Sequence, residues 1–161
     1  MKLFRILFWV SLLCAALAAG FILFNGTQHA GDSNSRSDVI TEVVEDVLKD
    51  TFRVDPVVHD DVSYFVRKAA HVTEYLLFGL FCGLTAFFAR LCGHRLEIFL
   101  PVSLVLLLGI TDEFLQSFSD RTSQVGDVLF DGAGGIIGIL LAALVYALVR
   151  RGARKKKKES V

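Results

Sequence analysis

The stretch Asp112–Gly138, DEFLQSFSDRTSQVGDVLFDGAGGIIG, sets carboxylates, an amide and an arginine between two runs apolar enough to lie in lipid. Ionisable groups at membrane depth are costly, and they persist where they pair, line a cavity or act on something. A second polar string, Arg67-Lys68-Ala69-Ala70-His71-Val72-Thr73-Glu74-Tyr75, opens another apolar run. The placement of the two strings predicts that they meet at one level of a membrane, near its outer face.

Composition agrees with a membrane protein. Of 161 residues 53% are hydrophobic, 14 of them Phe, and the mean hydropathy is +0.55. A soluble domain has an apolar share, glycine included, of about 45–50%. The formal net charge of zero conceals a segregation of sign along the chain. The strong basic cluster is C-terminal, which leaves no stripe for nucleic acid. Cys14, Cys82 and Cys92 lie in or beside apolar runs without CxxC or metal-like spacing. They are expected to be small core residues, with no structural disulfide.

Working outward, residues 1–24 make a first transmembrane helix. Ile6–Phe24 is free of charge, and about 20 such residues at roughly 1.5 Å each cross a bilayer core. Lys2, Arg5 and the small-x-small triplet Ala16-Leu17-Ala18 also fit a signal peptide, but the run continues through Phe24, which favours an uncleaved helix. Residues 25–63 form an acidic loop with nine Asp/Glu against Arg36, Lys49 and Arg53. Within it Gly26–Arg36 is expected to be a flexible lead-in. Val39, Ile40, Val43, Val44, Val47, Leu48 and Phe52 then recur at helical spacing. The polar face of this amphipathic helix is acidic, unlike that of most interfacial helices, and predicts a cap resting on the protein, with contact with the membrane surface as the second reading. Pro56 punctuates its end. Residues 64–149 hold a three-helix core, and 150–161 a basic tail. The predicted fold is therefore an all-α integral membrane protein, a four-transmembrane-helix bundle with an extracytoplasmic amphipathic helix between its first and second helices.

One side of such a bundle receives Lys2, Arg5, Arg90, Arg95 and the Arg150–Lys158 tail, and the other a loop dominated by acids. The positive-inside rule then places both termini in the cytoplasm and the polar site outside. Counting upward from these charges at about 1.5 Å per residue puts Glu74, His71, Asp112, Gln116 and Asp131 in one stratum, roughly 22–28 Å up. At 100° per residue Lys68, His71, Tyr75 and Gly79 fall within a narrow arc, with Glu74 at its edge. Asp112, Glu113 and Gln116 share one side of the third span, while Asp127, Asp131, Gly134 and Gly138 line a stripe of the fourth. Gly134-x-x-x-Gly138 permits close approach of a neighbouring helix.

These residues resemble the VanZ-like family. The resemblance is carried by Lys68-x-x-His71-x-x-x-Tyr75-x-x-x-Gly79, by Asp112-Glu113-x-x-Gln116-x-Phe118-x-x-x-Arg121, and by Asp127-x-x-x-Asp131-x-x-Gly134 with Gly138. It spans about Lys68 to Gly138, leaving the acidic loop outside. Asp131 stands where the family usually has Asn, which adds a charge. The family takes its name from a membrane protein associated with low-level teicoplanin resistance. The resemblance implies a cell-envelope role and supplies no reaction.

Three chemistries fit the residues. A binding protein would hold a membrane lipid headgroup, a lipid-linked cell-wall precursor or a glycopeptide. Lys68 and Arg121 would face phosphate, Glu74, Gln116, Asp127 and Asp131 would complete the polar wall, and Tyr75, Phe114 and Phe118 would give apolar contact. A membrane enzyme would use Asp112 or Glu113 as general base and His71 as acid/base on a lipid-linked envelope substrate. A transporter subunit would use the carboxylates for protons, although no inverted repeat is visible. Imidazole with carboxylates suits a divalent metal. Without an HExxH-like motif, and with a lone His on a helix, no metal ligand is assigned. The bland alternative is a network of ion pairs holding the helix ends together.

Overall fold

The computed structural model describes residues 2–28, 30–52, 59–94, 99–118 and 125–159. Among these residues five helices follow one another: α1 (Lys2–Gly26), α2 (Ala30–Phe52), α3 (His59–Leu91), α4 (Phe99–Gln116) and α5 (Val125–Glu159). Four of them, α1, α3, α4 and the Gly126–Gly152 part of α5, are long and apolar enough to cross a membrane. Trp9, Leu17, Phe21, Leu107, Ile110, Leu140 and Leu144 stay exposed around the outside, as a lipid-facing belt requires. The chain is a multi-pass helical membrane protein.

Helix α3 is the hub and touches every other helix. Its contact with α5 is made by glycines. A Cβ placed on Gly79 would lie 2.7 Å from the carbonyl carbon of Gly135, and one on Gly138 would lie 2.6 Å from the Leu80 nitrogen. Gly134 faces Val72 in the same way, so two backbones run in contact for several turns. Lipid gives little hydrophobic drive for helix association, and small residues that permit such packing replace it. Toward the chain termini the seam closes on a stacked pair, Phe87 and Tyr146, with ring centroids 4.9 Å apart.

On the opposite flank of α3, α1 packs through Ser11, Ala15 and Ile22. Ser11 Oγ accepts a 3.0 Å hydrogen bond from Thr85 Oγ1 inside this contact. Helix α4 touches α1, α3 and α5 and completes the bundle. Its Pro101 lies in the first turn, where the missing N–H removes no intrahelical bond. Between α1, α3 and α4 an apolar groove of about 370 Å³ is lined by Leu12, Ala15, Phe78, Cys82, Pro101 and Leu104. The cysteines are free thiols.

Helix α3 ends in a glycine cap. Gly93 has φ of 93°, the His94 N–H bonds the Ala89 carbonyl at 3.0 Å and the Gly93 N–H bonds Arg90 at 3.1 Å. A residue with a side chain would be strained there.

The structure departs from the sequence reading at three boundaries. The segment expected to be a flexible lead-in is helical from Ala30, because it contains no proline and propensity is a weak constraint. Helix α3 begins at His59, ahead of Tyr64, with Asp60 and Asp61 in a first turn that favours acids. The basic tail continues α5 to Glu159, since Arg and Lys are good helix formers. Pro56 lies outside the described residues.

Helix α2 docks on α3 by one edge. Thr41 is buried, while Val39, Ile40, Val43 and Val47 remain exposed. At 100° per residue Thr41, Glu45 and Leu48 share the side that turns inward, which leaves the valines outward. The valine stripe is therefore not the face of a cap. The edge is tied to the start of α3 by His59 Nδ1 and Glu45 Oε1 at 2.6 Å, and Lys49 adds to Glu45 at 3.4 Å. Burial raises the Glu45 pKa, but hydrogen bonds and charge from His59 and Lys49 outweigh this and hold its carboxyl below the usual carboxylate range.

Candidate functional site

At the end of the bundle opposite the termini, α1, α3, α4 and α5 deliver their polar residues to one place. A carboxylate or imidazole at this depth has little solvent to satisfy it, so its partners decide whether it is tolerated. Helix α3 supplies Lys68, His71, Glu74 and Tyr75, one turn apart on one face. Lys68 Nζ pairs with Asp127 Oδ1 at the start of α5 and lies 5.2 Å from the Tyr64 ring centroid and 5.8 Å from that of Phe130. The pair and the two rings form an outer rim.

Beneath the rim the site is buried. Asp131 is 0% exposed and Asp112 1%, and the His71 side chain retains 18%. His71 Nδ1 faces Asp131 Oδ1 at 3.6 Å, beyond hydrogen-bond range. Gln116 Nε2 donates to Asp112 Oδ2 at 2.9 Å, one turn apart on α4. Tyr75 is fully buried, and Asp112, Asp131, Glu74 and Glu113 act on it electrostatically. Gly109 of α4 faces Tyr75 and Asp131, which lets the ring lie against the helix. Tyr75 Oη, His71 Nδ1, Asp112 Oδ1 and both Asp131 oxygens lack a hydrogen-bond partner among the described residues. Polar atoms this deep are normally paired.

Helix α1 also contributes. Asn25 Nδ2 donates to Glu74 Oε1 at 3.1 Å, and Gly26 faces the Asp112 carboxylate so closely that a Cβ there would lie 3.3 Å from Asp112 Cγ. The sequence reading ended the first span at Phe24 and missed both. The signal was present, because Asn25 lies about 30 Å above Arg5 on the same count that located the other groups.

The predicted set is otherwise brought together: His71, Tyr75, Asp112, Gln116 and Asp131 line the buried part, with Glu74 and Glu113 beside them and Lys68 and Asp127 at the rim. Arg121 lies outside the described residues. Phe114 and Phe118 do not line the site. They are exposed and meet each other edge to face at 5.0 Å, because Phe114 sits about 200° around α4 from Asp112. Lys68 is engaged by Asp127.

Fold and site together define a multi-pass helical membrane protein with an ionisable cluster buried at one end of its bundle. The family model described as VanZ/LLP1 matches residues 8–146, and the chain belongs to that family. The match runs through α1 and the acidic loop, farther than the resemblance of residues 68–138 alone. The family is one associated with teicoplanin resistance. Neither the curated proteins nor the solved structures compared with the chain gave a significant match.

Proposed function

We propose that the cluster is a binding site at the outer face of the cell membrane, with both termini cytoplasmic. It takes the polar headgroup of a lipid, of a lipid-linked cell-wall precursor or of a glycopeptide, and so lowers susceptibility to teicoplanin-type drugs. Orientation follows from the basic residues at the terminus-bearing end, Lys2, Arg5, Arg90 and the 150–158 run. One observation carries the binding reading: Tyr75, Asp112 and Asp131 keep hydrogen-bonding atoms beyond what the bundle itself uses. A network that only fastened helices would satisfy them. With Lys68 held by Asp127, recognition among the described residues rests on acceptors and on the tyrosine hydroxyl, which suit hydroxyl and amine groups of a headgroup.

A catalytic reading has its own support, since His71 between Asp131 and Asp112 has the composition of an acid/base group with its orienting carboxylate. One comparison separates the two. Cells lacking the protein, cells with wild type and cells with Tyr75→Phe, at matched protein levels, are profiled for envelope lipids and cell-wall precursors by mass spectrometry. Labelled teicoplanin bound to each is measured alongside. Binding predicts unchanged covalent chemistry and a drug-binding difference that Tyr75→Phe reduces. A new covalent species seen only with wild type would overturn it in favour of an enzyme.

A further inference from the structure

Three donors from three helices converge inside the cluster: His71 of α3, Asp112 of α4 and Asp131 of α5. One ligand atom of each lies within 4.8 Å of the others. Two ligands about 2.1 Å from a common ion stand roughly 3.0–3.5 Å apart, so closure onto an ion needs side-chain shifts of about 1 Å. Rotation about χ1 and χ2 supplies that without moving a helix.

Charge points the same way. Asp112 and Asp131 place two carboxylates at 1% and 0% exposure, where an unpaired charge is least tolerated. Lys68, on the same face of α3, is committed to Asp127. Gln116 satisfies one oxygen of Asp112, and the other oxygen, both oxygens of Asp131 and His71 Nδ1 have no hydrogen-bond partner among the described residues. We propose that His71, Asp112 and Asp131 bind one divalent first-row transition ion of the zinc or manganese class. The ion cancels two carboxylate charges, and an imidazole among oxygen donors favours it over magnesium or calcium. Three protein ligands leave a position open for water or a ligand oxygen. The site does not depend on whether the cluster binds a headgroup or acts on one.

The full chain, purified in detergent through a tag without histidine and stripped with chelator, is titrated with Zn²⁺ and separately with Mn²⁺. Bound metal is counted by mass spectrometry, and Mn²⁺ is followed by electron paramagnetic resonance. One ion per chain is expected, with affinity falling on the order of 100-fold or more in His71→Ala, Asp112→Asn and Asp131→Asn. Glu45→Gln, on α2 and outside the cluster, serves as control and leaves the affinity unchanged. Asp131→Asn is nearly isosteric, and gel filtration with a melting curve confirms that each variant is folded. An ion that raises the melting temperature of wild type and not of the folded Asp131→Asn protein supports the site. Absence of saturable binding in the folded wild type, or equal affinity in all four variants, would overturn it.

Discussion

Replacing Gly138 by alanine tests the glycine seam between α3 and α5. The new Cβ would lie 2.6 Å from the Leu80 nitrogen and 3.0 Å from the Leu76 carbonyl carbon, both backbone atoms that no rotamer change can move. Ordinary contact begins near 3.4 Å and the Leu76 carbonyl oxygen is nearer still, so the helices must separate locally by more than about 0.8 Å. Overpacking of this kind costs about 1–3 kcal/mol, and alanine's better helix propensity returns at most about 1. With rigid backbone on both sides the cost falls at the upper end, and a net loss of about 2 kcal/mol lowers the melting temperature by roughly 4–8 °C for a chain of this size. The assay is a melting curve in detergent at fixed lipid content. Gly20→Ala and Gly132→Ala are internal references, because a Cβ at Gly20 meets nothing within 4 Å and one at Gly132 meets only the Leu106 Cδ2 at 3.6 Å. They should match or exceed wild type. If Gly138→Ala and Gly132→Ala shift the melting temperature equally and in the same direction, backbone contact does not hold this seam.

Lys68→Met alone leaves the Asp127 carboxylate, 15% exposed, without its cation and should destabilise by about 2–3 kcal/mol. The double change Lys68→Met with Asp127→Leu should recover most of it, as a double-mutant cycle reads directly. Asn25→Ala removes a hydrogen bond to Glu74 and should cost about 1–2 kcal/mol in the same melting assay, with α1 the first helix to lose hydrogen-exchange protection. The Glu45 carboxyl is held below its ordinary pKa, so its contact with His59 and Lys49 is present above the ordinary carboxylate range and weakens as pH falls through the lowered value. Loss of amide protection in α2 at acid pH, smaller in Glu45→Gln than in wild type, checks the sign. Because α1 is a packed wall of the site, an N-terminal epitope tag should stay on the mature protein, and a membrane blot detecting only a C-terminal tag would contradict this.

Much of the bundle was legible because lipid imposes a harsh rule on sequence. Length and apolarity located four spans, and counting residues from the basic ends placed His71, Asp112 and Asp131 at one level before any contact was known. Helical periodicity also foresaw the stripe of Asp127, Asp131, Gly134 and Gly138. It could not say which neighbour each face meets. That Lys68 would choose Asp127, that Gln116 would hold Asp112, and that α1 would close the site with Asn25 and Gly26 are tertiary outcomes. Exposed aromatics misled for a related reason: Phe114 is near Asp112 along the chain and on the other side of the helix. The valines of α2 carry a true amphipathic signal, yet beside a bilayer an apolar face has a solvent of its own and need not turn inward.

The seams of the bundle differ in stiffness. At Gly79, Gly134 and Gly138 helices α3 and α5 meet backbone to backbone, where no rotamer change can make room. Helices α1 and α4 meet α3 through side chains, beside a groove of about 370 Å³. His71, Tyr75 and Asp131 therefore ride on an anvil, whereas Asp112, Glu113 and Asn25 belong to a more compliant wall. On the proposed binding reading, widening to take a headgroup would proceed by the α1–α4 side leaning away, and the yield of that wall would set the selectivity.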